Sequence, residues 1–148
     1  MTRRLIGTIG ALAIACLGVA CDEKLTDLAG PTPNLTPTFT SIQRDIFNAK
    51  DSSGRPACTS CHSAGGARFT GNLSLVEGAA YANLVGVAST GKAGETRVIP
   101  GNPDGSYLLK KLEGNGIVGD RMPRLGPYLS EGQILIIRRW IELGAKND

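Results

Sequence analysis

At 148 residues the chain has room for one domain of ordinary size, and 41% apolar residues are enough for a core. Aromatics are sparse at 5%, and the 20 glycines and 8 prolines point to many turns and short elements. The net charge of +3, part of it from Arg3 and Arg4, leaves no basic face and excludes a nucleic-acid-binding protein.

Residues 1–20 read as a signal peptide. Thr2-Arg3-Arg4 is a short basic region, and residues 5–19 are an apolar run too short to be comfortable as a membrane span. The run ends Leu17-Gly18-Val19-Ala20-Cys21 and turns polar at Asp22-Glu23-Lys24. This resembles a bacterial lipoprotein signal, in which cleavage leaves a lipid-bearing N-terminal Cys21. Gly18 stands where such signals prefer Leu, and Ala13-Ile14-Ala15-Cys16 is a second site of the same kind. The polar chain that starts directly after Cys21 favours Cys21. The alternative is an ordinary small-residue cleavage site that releases a soluble periplasmic protein. Both readings put the domain on the periplasmic side of a bacterial membrane.

Residues 21–39 read as a tether. Gly30-Pro31-Thr32-Pro33-Asn34 and Thr36-Pro37-Thr38 carry too little apolar surface to fold and favour an extended chain. The folded domain is expected over 40–148. Its first helix is predicted at 41–49, capped by Thr40 or Ser41, with Ile42, Ile46, Phe47 and Ala49 on one face. Asp51-Ser52-Ser53-Gly54 breaks it.

Cys58-Thr59-Ser60-Cys61-His62 follows and reads C-x-x-C-H, the attachment signal for a c-type haem. Two thiols on one helical turn can reach the two vinyl groups on one porphyrin edge and form thioethers. The adjacent His62 is then carried under the iron as its proximal ligand. A Cys58–Cys61 disulfide is one alternative. A thioredoxin-like redox pair needs a βαβ pattern that the sequence lacks. Zinc needs four ligands, and the sequence has one His and no second C-x-x-C. A haem would also explain the few aromatics, because it brings a large apolar body of its own.

Past the motif, residues 63–67 are a loop, and Asn72-Leu73-Ser74-Leu75 is short and extended. A second helix is predicted at 77–85, with Leu84 and Val85 toward the core and Tyr81 beside them or at the haem edge. Residues 86–96 are a loose connection. Pro100-Gly101-Asn102-Pro103 forces turns, and Asp104 or Ser106 then starts a third helix that runs through Leu112. Glu113-Gly114-Asn115-Gly116 stops it, and Arg121-Met122-Pro123 lies in the next loop. The last helix is the clearest. Ser130 and Gln133 form a capping-box pattern, Ile134, Ile137, Trp140 and Ile141 make a core-facing stripe, Arg138 and Arg139 point away from it, and Gly144 is the stop. The fold class is all-α, with short helices and long loops.

A second axial ligand is found by elimination. His62 is the only histidine, and Met1 leaves with the leader, so Met122 is the one methionine of the mature chain. Pro123 restricts Met122 to extended conformations and stiffens the loop. Water, Lys110, Lys111 or a Tyr are the other donors, and filling a core gap is the other role for Met122. The carbonyl of Pro100 or a neighbour is expected to take the second ring nitrogen of His62. Arg97 either pairs with a haem propionate or is solvated. Tyr107 belongs to the haem environment or the core. Trp140 is expected to pack the last helix on the first. Arg121 and Arg124 form either a solvated edge or a docking surface.

Cys58-x-x-Cys61-His62-Ser63, Val98-Ile99-Pro100-Gly101-Asn102-Pro103 with Ser106 and Leu108, Met122-Pro123, and Trp140-Ile141-x-x-Gly144-Ala145 occur in this order. The pattern resembles short cytochrome c domains of the planctomycete type, often found in bacterial lipoproteins, and covers residues 40–148. The resemblance implies a small, class I-like cytochrome c fold around one covalently attached haem c, with His62 and Met122 as axial ligands and a role in respiratory electron transfer. Arg124 departs from the family, where another Pro is common. A His–Met site leaves no position for substrate chemistry. The expected function is therefore that of an electron carrier, not an enzyme, with redox donor and acceptor proteins as partners and a lipid anchor. A haem peroxidase or gas sensor with a labile distal ligand is the enzymatic alternative. An electron-accepting subunit of a dehydrogenase is a third.

Overall fold

The computed structural model describes residues 36–64 and 70–148. The expected signal peptide, Cys21 and most of the tether lie outside the described residues. The described chain is helical with almost no β-structure. Helix α1 (Phe39–Ile42) runs directly into a π-helical turn (Gln43–Phe47), and a 3₁₀ turn (Cys58–Ser60) follows. A second 3₁₀ turn (Thr70–Asn72) and helices α2 (Ala80–Leu84), α3 (Tyr107–Glu113) and α4 (Glu131–Glu142) complete the set. Extended pairing among the described residues is limited to isolated bridges such as Val85–Val98 and Thr96–Ser106. This agrees with the all-α expectation.

Helix α1 begins earlier than predicted. Thr38, not Thr40 or Ser41, is the cap, and its hydroxyl accepts from the Ser41 N–H at 3.2 Å. The first free N–H groups of a helix need acceptors. Here the chain's last residue supplies them: Phe39 N donates to Asp148 Oδ1 and Thr40 N to the Asp148 carbonyl, both at 2.9 Å. Thr36, Thr38 and Phe39, read as the end of the tether, therefore belong to the folded domain. At the other end, Gln43 is buried and its Nε2 donates to Asn48 Oδ1 and Leu75 O, both at 2.9 Å. The Asn48 N–H returns to Gln43 O, which closes the π turn.

Helix α2 is shorter than the predicted 77–85, because Gly78 sits in a turn at φ +80° just before it. Helix α3 starts after Ser106, whose hydroxyl does not cap it. That hydroxyl accepts from Ile99 N at 2.9 Å and donates to Asn102 O at 2.8 Å, which pins the Pro100–Asn102 turn. Gly114 ends α3 at φ 84° in the left-handed region. Helix α4 carries the predicted capping box of Ser130 and Gln133.

The core is one cluster. Ile42, Ile46 and Phe47 meet Leu84, Val98, Leu109 and the α4 residues Ile137, Trp140 and Ile141. Phe39 joins its aromatic part, with ring centroids 5.4 Å from Trp140 and 5.2 Å from Tyr81. Trp140 thus packs the last helix on the first, as expected. Arg138 points away from the core, and its guanidinium links Glu113 at 2.9 Å and Asp104 at 2.5 Å, which ties α4 to α3.

Candidate functional site

The chain enters the cysteine motif extended at Ala57 (φ −58°, ψ 141°) and then coils. Ser60 N donates to Ala57 O at 3.0 Å, Cys61 N to Cys58 O at 3.2 Å and His62 N to the same Cys58 carbonyl at 2.9 Å. Cys58, Cys61 and His62 therefore share one helical turn. Both thiols are free, so no disulfide joins them. The Cys58 Sγ lies 3.7 Å from Ile46 O and 3.8 Å from Arg55 Nη1. Burial pushes the Cys58 thiol up, and the Arg55 guanidinium acts against that.

His62 is fixed in the chain by its carbonyl, which accepts from Leu75 N at 2.8 Å. Burial lowers the imidazole below its ordinary value; the backbone of Leu73 opposes this, and the positive charges of Lys111 and Arg97 add to it. The ring is thus held neutral at neutral pH, the form that can ligate a metal. Its Nδ1 is buried without a hydrogen-bond partner among the described residues. The backbone acting on this ring is Leu73's, outside ordinary hydrogen-bond geometry, and not the expected Pro100's. The Pro100 turn is held elsewhere: Gly101 N donates to Ile141 O at 2.8 Å, at the end of α4.

Met122 is partly buried and packs against the core cluster. Its N–H donates to Lys111 O at 2.8 Å, which anchors the loop to α3. Arg121 Nε donates to Leu112 O at 2.7 Å, and its guanidinium stacks 4.0 Å from the Tyr128 ring. Arg124 pairs with Asp120 at 2.6 Å. Of the other candidate donors, both lysines and two of the three tyrosines are engaged. Lys110 is paired with Glu95 at 2.8 Å, and Lys111 donates to the carbonyls of Val118 and Asp120. The Tyr81 hydroxyl donates to Ala145 O at 2.9 Å, and the buried Tyr107 accepts from Val118 N at 3.0 Å.

Arg97 is buried, and its guanidinium is occupied by backbone. It donates to Asn83 O and Gly71 O at 2.7 Å each and to Asn72 O at 3.3 Å. It is a clamp across the loops on either side of α2, neither solvated nor paired with a carboxylate of the described residues.

One residue at the site was missed from sequence. Arg55 lies just before the motif, and its side chain is 0% exposed. Its Nε donates to Asp51 Oδ2 at 2.8 Å, an i,i+4 pair that was legible as Asp51 and Arg55 flanking the Ser-Ser-Gly turn.

Two cavities of about 310 Å³ open on the surface, one beside Leu109, Lys110 and Glu113, the other between Phe39, Gln43 and Glu77. Neither is lined by the motif or by Met122. Among the described residues no three His, Cys, Asp or Glu side chains gather as zinc would require. No described helix is long and apolar enough to cross a membrane. No protein-family model matches the sequence, and no curated protein or solved structure matches it.

Proposed function

We propose that the domain is a small monohaem cytochrome c that carries single electrons between periplasmic redox proteins. The observation that carries this reading is the placement of Cys58, Cys61 and His62 on one helical turn with both thiols free. A thiol–thiol–imidazole set in that order suits covalent attachment of a haem along one edge and ligation of its iron from one side. The Nδ1 of His62 is buried with no partner among the described residues, and this reading assigns the other ring nitrogen to the iron.

When bound, the haem supplies a one-electron Fe(II)/Fe(III) couple. The protein's part is to hold and shield it. Cys58 and Cys61 retain it through their sulfurs. His62, whose protonation burial disfavours, would offer a lone pair to the iron. Met122 would supply the second iron ligand. It is a soft thioether of the kind that favours Fe(II), held by its N–H bond to Lys111 O, while Lys110, Lys111, Tyr81 and Tyr107 are engaged elsewhere. Lipid attachment at Cys21 and a short tether would keep the domain at the periplasmic face of a membrane.

The test is the intact mass and visible spectrum of the mature protein, purified from a host with periplasmic haem attachment. One covalent haem per chain is expected, with low-spin spectra in both redox states. A chain at its bare polypeptide mass rejects the reading.

A further inference from the structure

Arg55 carries a buried positive charge against the first cysteine of the motif. Its side chain is 0% exposed, whereas that of its partner Asp51 is 22% exposed. Nη1 reaches Ile46 O at 3.3 Å, Pro56 O at 3.4 Å and the Cys58 sulfur at 3.8 Å. Nη2 is buried and has no partner among the described residues. The ion pair is therefore lopsided. Its cation lies inside, beside Cys58. Its anion lies toward water, where solvent and the Ser53 hydroxyl and N–H share its charge. A low-dielectric site at Cys58 feels the guanidinium more strongly than the carboxylate.

We propose that Arg55 sets the reduction potential of the haem that Cys58 holds, with Asp51 as the opposing and weaker control. The proposal rests on the haem reading above. Loss of one electron from Fe(II) to an acceptor protein leaves one more positive charge at the iron. A fixed buried cation resists that charge and raises the potential. Arg55 is in this sense a positioning and electrostatic residue, acting through its place beside the thioether and not as an iron ligand.

The experiment is potentiometric titration of holoprotein variants, with haem content and thermal melting measured in parallel. Arg55→Gln is expected to shift the Fe(III)/Fe(II) equilibrium at least tenfold toward Fe(III), about 59 mV for a one-electron couple. Arg55→Lys keeps the charge and should shift it less. Asp51→Asn removes the opposing charge and should shift it the other way. If Arg55→Gln is not recovered with haem, the sign of the Asp51→Asn shift decides the matter. A purely structural Arg55 would lower melting temperatures and leave the Asp51→Asn potential unmoved, which overturns the proposal. A wild-type chain with no haem sinks the haem reading and this inference together. A haem-loaded wild type whose variants share one potential sinks this inference alone.

Discussion

Phe39 and Trp140 sit with ring centroids 5.4 Å apart and planes tilted by 36°, at opposite ends of the described chain. The contact closes α4 over α1, and Trp140 is 1% exposed. Its indole N–H also donates to Lys146 O at 2.8 Å, so the ring is fixed at both its apolar and its polar ends. Trp140→Ala should cost about 3–5 kcal/mol in chemical unfolding. A loss below about 1 kcal/mol would mean that α4 is not the closing element of this core.

Met122→Ala tests the distal side. The band at the red end of the visible spectrum that oxidised Met–Fe ligation produces should disappear, and the potential should fall because a soft ligand is lost. Carbon monoxide should bind the reduced variant quickly and the reduced wild type slowly. An unchanged spectrum in the variant assigns the position to another donor. Fast binding to the wild type favours a peroxidase or gas sensor.

Arg97→Gln separates a backbone clamp from a haem contact. Arg97 donates to carbonyls of Gly71, Asn72 and Asn83, and hydrogen bonds from a charged group are each worth about 1.5–3 kcal/mol when the partner is buried. The variant should lose about 2 kcal/mol of stability. Its potential should stay close to wild type. A large shift in potential with unchanged stability would return Arg97 to the haem.

Glu95 provides an acid-dependent contact. Hydrogen bonds from Lys110 and then Lys92, at 2.8 and 3.1 Å, hold its carboxyl below the ordinary value of 4.5. A carboxyl depressed on folding stabilises the fold above its unfolded pKa, and that stability is lost as pH falls through the folded pKa. Glu95→Gln should therefore be less stable than wild type at neutral pH, and the gap should close as pH falls below the ordinary carboxylate range. High salt should also shrink it, since the lysines are partly exposed. A gap that stays constant with pH would show that packing, not charge, is at work.

Asp148→Ala removes the acceptor of the Phe39 N–H at the start of α1. The expected loss is about 1 kcal/mol, the usual worth of a helix N-terminal acceptor. Equal stability of variant and wild type would assign the capping to Thr38 and the Asp148 main chain alone.

What could be read from sequence was local. The α4 capping box, the glycine after α3 and the helical turn of Cys58–His62 each depend on residues within a few positions, and each formed as expected. What could not be read depends on distant partners. The start of α1 is decided by Asp148, more than a hundred positions away in the chain. Arg97, read as either a propionate partner or a solvated residue, is instead buried, and its acceptors in the described chain are carbonyls brought together by folding around α2. Arg55 stands in a Ser-Gly-Arg-Pro stretch that reads as surface loop, and its burial follows from its contact with Ile46 O in the core-facing turn. The reading of Met122 as an iron ligand rests on counting donors; the hydrogen bonds of Lys110, Lys111, Tyr81 and Tyr107 depend on partners that the sequence does not place.

The bonds from Phe39 and Thr40 to Asp148 also have a mechanical meaning. A pull arriving through residues before Thr38 does not peel α1 from a free end. It is shared with the segment around Asp148 and, through the contact of Phe39 with Trp140, with the core. The start of α1 is then as firmly held as its buried face, although it stands at the edge of the described chain.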